Sequence, residues 1–275
     1  MKGIIGAICG DIIGSTYENS GIKNKNFDLF PLNSKFTDDT TMTLATASWL
    51  LKNNQIGFIS KLFTPKKPYK ILVREMHTIG NRYITAGYGG GFTNWLKSDN
   101  PKPYNSWGNG SAMRVSPVGW ATSNLDEAEK LAKISAGITH NHPEGIKGAV
   151  SVASCVYLAR MGESKESIRE YVENKFHYDL SRDFDELRDN YVFDISCQGS
   201  VPESIMSFLN ADSFEDTIRN AVSLGGDADT QAAIAGSIAS AYWDVPEYIY
   251  RPALEYLDDY LLDILEKFNK TFVNL

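Results

Sequence analysis

"SLGGDADTQAAIAGSIASAYW", Ser223–Trp243, decides how this chain folds. After the paired glycines, most residues are Ala, Gly, Ser or Ile, and Asp229 is the last charge before Asp244. Alanine-rich runs favour helix. Side chains this small let neighbouring helices approach closely. The N-terminal stretch "GIIGAICGDIIGS", Gly3–Ser15, has the same character, with Gly10 and Gly14 four apart on one helical face. An apolar helix without a polar face belongs in a protein interior.

Helical spacing continues along the chain. Met42, Ala45, Trp49 and Leu50 set it over 38–52. Leu125–Gly137 follows a capping Asn124, and Pro143–Met161 starts on Pro and stops before Gly162. Shorter amphipathic helices are expected over 164–174, 201–209 and 213–223, with longer ones over 226–242 and 252–271. "NYVFDIS", 190–196, is the one β-like run. Two segments read as loops: the Gly/Asn/Pro-rich 86–114 and the basic "KLFTPKKPYK", 61–70. Neither a βαβ alternation nor a repeat is visible. The expectation is an all-α fold, one compact helical domain over 1–275.

Composition bounds the function. The 275 residues are 43% hydrophobic and 22% charged, enough for a sizeable core. A net charge of −7 and a pI near 5.2 argue against non-specific nucleic-acid or anionic-membrane binding. A small anion held by backbone amides stays compatible with that charge. Cys9, Cys155 and Cys197 are scattered, with no CxxC pair, as expected in a reducing compartment. Asp11 and Glu18 interrupt the N-terminal apolar run, so a signal peptide is not expected, and no run is long enough to span a membrane. The expected location is cytoplasmic.

Two segments offer oxygen ligands. "FTDDTTMTLATASWL", 36–50, brings Thr37, Asp38 and Asp39 to a helix start. Asp227, Asp229 and Thr230 do the same for the helix after Gly226. Capping and the helix dipole explain one acid at each start. They do not require two acids and a threonine at both. Carboxylates and hydroxyls are what Mg²⁺, Mn²⁺ or Ca²⁺ take. If the two helix starts meet, four carboxylates would repel unless cations compensate them. Two divalent ions would meet that need.

Other motifs carry less. Glu18 ends "GDIIGSTYE", 10–18, and as a lone acid reads first as a solvated side chain. The glycines of "YGGGF", 88–92, and "NSWGNGSAMR", 105–114, could cradle phosphate or simply turn the chain. His140 and His142 in "GITHNHPEG", 137–145, are two apart, a poor pair for zinc; a ligand-contacting His140 or a plain loop histidine fits better.

In this order, "GDIIGSTYE", "FTDDTTMTLATA", "YGGGF", "GNGSAMRVSPVGW", "THNHPEGIKGA" and "GGDADTQAAIAGSIASA" resemble the ADP-ribosylglycohydrolase family. The resemblance runs from residue 10 to about 240. It implies an all-α orthogonal helical bundle with two Mg²⁺ (or Mn²⁺) ions, held by Thr37, Asp38, Asp39, Asp227, Asp229 and Thr230. Gly89, Gly91, Ser106, Trp107, Asn109, Gly110 and His140 match segments that line the ADP-ribose pocket, Trp107 at a position expected to vary. Glu18, Asp39 and Asp229 would serve catalysis. The implied reaction is hydrolysis at ribose C1″ that frees an acceptor. That acceptor could be a protein, a small conjugate such as O-acetyl-ADP-ribose, or a nucleic acid only when itself ADP-ribosylated. The rival is a non-catalytic relative that keeps the fold, although both Asp/Thr sets are retained here.

Overall fold

A computed structural model describes residues 1–54 and 67–274. In chain order its helices are α1 (Ile5–Gly14), α2 (Asp38–Asn54), α3 (Lys67–Arg82), α4 (Gly90–Leu96), α5 (Gly110–Met113), α6 (Ser116–Ala121), α7 (Leu125–Gly137), α8 (Pro143–Arg160), α9 (Lys165–Phe176), α10 (Phe184–Asn190), α11 (Cys197–Leu209), α12 (Phe214–Val222), α13 (Ala228–Tyr242), α14 (Glu247–Leu254) and α15 (Asp259–Phe268), the last running into a π-turn, Asn269–Val273. Among the described residues there is no named strand, and no helix is long and apolar enough to cross a membrane.

The centre of the molecule is the antiparallel pair α1 and α13. All ten residues of α1 are buried, and so is all of α13 except Tyr242. A Cβ on Gly6 would fall 2.3 Å from the Gly236 carbonyl, one on Gly10 2.1 Å from that of Ala232, and one on Gly14 2.5 Å from that of Ala228. The seam therefore closes only because these positions lack a side chain. It also fixes the register, and so sets the start of α13 against the end of α1.

α2 enters from the side and is held by a carboxylate from α1. Asp11, fully buried, accepts from the Thr37 amide at 2.9 Å, the Thr37 hydroxyl at 2.7 Å and the Thr40 amide at 3.0 Å. The first turn of α2 is thus capped from another helix as well as from its own sequence. The Thr/Ser-rich body of α2 is buried because its hydroxyls find acceptors: Thr46 donates to the Met42 carbonyl at 3.0 Å and Ser48 to Glu75 at 2.8 Å. Around this core α7 packs on α8, and α11, α12 and α8 flank α13.

Several expected boundaries shift. The segment 252–271 is not one helix: α14 stops at Leu254, and Asp258 restarts the chain by accepting from the Leu261 amide at 3.0 Å. The loop expected over 86–114 contains α4 and α5. α3, α6 and α10 were not expected, and α11 starts at Cys197, where Ser196 caps it. "NYVFDIS" pairs only through an isolated antiparallel bridge between Gly108 and Ser196. Of the basic 61–70 segment, 61–66 lie outside the described residues, while Lys67–Lys70 open α3.

Candidate active site

Two helix starts, separated by about 190 residues in sequence, face each other where α1 ends. Thr230 donates to Asp39 Oδ2 at 3.3 Å, and Thr37 reaches the same oxygen at 3.3 Å. Oxygens of Asp11, Asp39 and Asp229 lie within 4.8 Å of one another, as do those of Glu18, Asp227 and Asp229. Asp229 belongs to both triads. Asp38 lies outside both, yet it lines the same cleft.

The electrostatics of this cluster are unfavourable as it stands. Among the described residues no lysine or arginine pairs with Asp11, Asp38, Asp39, Asp227 or Asp229. Burial, then repulsion from Asp11, Asp38 and Asp227, pushes Asp39 well above the carboxylate range. Burial, then Asp39 and Asp227, does the same to Asp229. Asp38 is pushed up to about 7 by burial and by Asp11. Asp39 Oδ1 is buried and accepts no hydrogen bond. An orphaned carboxylate oxygen in an all-oxygen cluster fits a hard divalent cation, whose charge would remove the repulsion. Simple capping does not account for the start of α13. Asp227 makes no side-chain cap, and its Oδ2 instead accepts from Asn109 at 2.7 Å.

The cluster floors a cleft of about 590 Å³. Gly89 and Gly91 line one wall, Ser106, Asn109, Gly110 and His140 another, with Glu18 and Lys35 at the side of α1. Each loop is tied down. Tyr88 is hydrogen-bonded to Thr41 of α2 at 2.9 Å. The Asn109 amide donates to the Ile195 carbonyl at 2.8 Å and the Tyr104 amide to that of Thr139 at 3.1 Å. Nothing lies within 4 Å of a Cβ built on Gly89 or Gly90, so bare backbone faces open space there.

Every residue that the family resemblance assigns to the site lines this cleft except one. Trp107 is 52% exposed and its ring lies 5.6 Å from that of His142. Its neighbours Gly108 and Ser106 line the cleft while its own side chain does not. His142 is a helix cap, its Nδ1 accepting from the Glu144 amide at 3.1 Å, and so does not act beside His140 as a ligand pair. Four cleft or supporting residues were not legible as such. Asp11 could have been suspected as a charge inside an apolar helix. Arg114, Tyr104 and Thr139 gave no signal beyond their neighbours.

Comparison with known proteins bears on the family and the fold. A model of the ADP-ribosylglycohydrolase family matches residues 1–273. Human ADP-ribosylhydrolase ARH3 is 28% identical over 322 aligned positions, covering 89% of this chain and 86% of that protein. The ADP-ribosyl-[dinitrogen reductase] glycohydrolase of Rhodospirillum rubrum is 30% identical over 150 positions, covering 51% of this chain and 47% of that protein. A solved structure titled "ADP-ribosylglycohydrolase-related protein complex" shares the fold, with a TM-score of 0.70 over 98% of this chain and 95% of that one at 22% identity. The chain belongs to the ADP-ribosylglycohydrolase family.

Proposed function

We propose that this chain, acting as one domain over 1–275, is a metal-dependent hydrolase that removes ADP-ribose from an acceptor by cleaving the bond at ribose C1″. The observation that carries the proposal is the pair of carboxylate triads sharing Asp229 at the floor of the cleft. Thr37, Asp38, Asp39, Asp227, Asp229 and Thr230 would hold two Mg²⁺ or Mn²⁺ ions. When bound, such ions supply Lewis acidity and a charge that lets the carboxylates ionise together.

The chain's own residues divide the remaining work. The open backbone at Gly89 and Gly90 admits a diphosphate, and the basic side chains lining the cleft are Lys35 and Arg114. Asp39, with its free Oδ1, and Asp229 stand where a water attacking C1″ could be oriented and relieved of its proton. Their negative charge favours the positive charge that develops on the sugar. Glu18 is half-buried, and burial and Asp227 raise its carboxyl above its ordinary range, against a smaller lowering by Lys35. A carboxyl shifted in this direction is better suited to giving a proton to the departing acceptor atom. The relatives named for hydrolysis of ADP-ribosyl groups support the reaction class. The acceptor would be an ADP-ribosylated protein or a small ADP-ribose conjugate, in the cytoplasm.

Turnover of a panel tests this: arginine-linked and serine-linked ADP-ribosyl peptides, a 5′-ADP-ribosylated oligonucleotide and O-acetyl-ADP-ribose, each with Mg²⁺ or excess EDTA. Metal-dependent release of ADP-ribose from at least one substrate is expected. Release that persists unchanged in EDTA, or calorimetric ADP-ribose binding without turnover of any substrate, would overturn the proposal.

A further inference from the structure

Arg114 is a fully buried cation without an acidic partner among the described residues, 1% exposed at the back of the cleft. Its Nη2 donates to the Ser135 carbonyl at 3.0 Å and to Thr139 Oγ1 at 2.8 Å. Thr139 Oγ1 lies 2.7 Å from His140 Nδ1. An arginine can only donate, so the Thr139 oxygen must accept from it. The hydroxyl then has one proton to give. Its other acceptor, the Ala136 carbonyl, is 3.5 Å away, at the limit of a hydrogen bond. The converse, an Nδ1–H donating to the hydroxyl's second lone pair, would leave the hydroxyl proton only the 3.5 Å contact, so the 2.7 Å geometry sends that proton to a bare His140 Nδ1. In a neutral ring this places the hydrogen on Nε2. That nitrogen lies 3.4 Å from where a Cβ on Gly110 would stand and 3.7 Å from that of Gly108, on the wall of the cleft.

We propose that Arg114 and Thr139 are positioning residues that fix His140 as its Nε2–H tautomer, a neutral donor aimed at an anionic or hydroxyl oxygen of the bound ligand. Burial first, and the Arg114 charge second, also hold His140 well below the usual histidine range, so the donor stays neutral across the physiological range. The arrangement gives direction to a hydrogen bond without adding positive charge beside the acidic cluster. The proposal rests on ADP-ribose binding in this cleft, as argued above, for its ligand but not for its tautomer.

The test uses the full chain loaded with Mg²⁺. Nitrogen-15 spectra of the imidazoles at pH 7.5, with His140 assigned by its loss in His140→Gln, report which nitrogen bears the proton. Wild type and Thr139→Ser should show Nε2–H and bind ADP-ribose alike. Thr139→Val, which keeps shape and removes the hydroxyl, should show a mixture of tautomers and roughly tenfold weaker ADP-ribose binding, the size expected for one misdirected hydrogen bond. Arg114→Met should give the same mixture. An Nδ1–H or doubly protonated His140 in wild type overturns the proposal, whether or not the variants fold. So does a Thr139→Val protein with unchanged spectrum and affinity. If none of the proteins binds ADP-ribose, the proposed function fails, while the spectra still decide the tautomer.

Discussion

Asp11 on α1 accepts both the amide and the hydroxyl of Thr37, at 2.9 and 2.7 Å, and so pins the start of α2 to the central helix. One acid among the cluster is therefore satisfied by protein donors, whereas Asp39 keeps a buried oxygen without any.

That asymmetry predicts opposite signs for two conservative changes. Asp11→Asn turns an acceptor of several hydrogen bonds into a group that must donate, and should cost about 3 kcal/mol. Asp39→Asn removes a repelled charge and should stabilise the metal-free protein by about 1 kcal/mol. Urea denaturation of both variants in EDTA measures each. Loss of stability in both would mean that Asp39 is structural.

Metal binding should reverse the ranking. Saturating wild type to a hundred times its dissociation constant with Mg²⁺ or Mn²⁺ stabilises it by about 2.7 kcal/mol per site by mass action. Asp39→Asn and Asp229→Asn should lose most of that gain and all measurable turnover. Thermal denaturation with and without the ion, alongside calorimetry, reads the effect.

Two glycines separate packing from ligand access. Gly10→Ala would drive a methyl into the Ala232 carbonyl, a backbone atom that cannot swing aside, and should cost about 3 kcal/mol or more. Gly89 has φ −58° and ψ 150°, a conformation alanine adopts freely, with nothing near its Cβ position. Gly89→Ala should leave stability within about 0.5 kcal/mol of wild type. It should weaken ADP-ribose binding at least about tenfold if the ligand lies against that backbone. Equal affinity would move the ligand to another wall.

His140 gives a pH dependence of known sign. Its folded pKa is depressed by burial and by Arg114, so below the ordinary value near 6.5 the unfolded chain binds the proton first. Its contribution is complete above about pH 6.5 and is lost as pH falls below that, by at most about 1.4 kcal/mol per pH unit. The stability difference between wild type and His140→Gln, measured with Mg²⁺ from pH 7.5 to 5, should shrink toward acid. A flat difference would place His140 in contact with solvent.

Much of the fold was written locally. The apolar, small-residue runs 3–15 and 226–242 read as buried helices because their composition leaves no polar face, and both are buried. The acids and threonines at 37–39 and 227–230 could be picked out because cap chemistry needs fewer oxygens than they supply. What local pattern could not give was direction. The glycine seam between α1 and α13 sets which ends meet, since a Cβ at Gly6, Gly10 or Gly14 would strike the opposite backbone. That register, with Asp11 reaching across to α2, brings two distant triads onto Asp229. The same is true of Trp107, whose position in a motif matched the pocket while its side chain turned outward. Helix type follows from neighbours within a turn or two. Which oxygens converge, and which ring faces the cleft, depends on contacts between segments far apart in the chain, and only packing decides those.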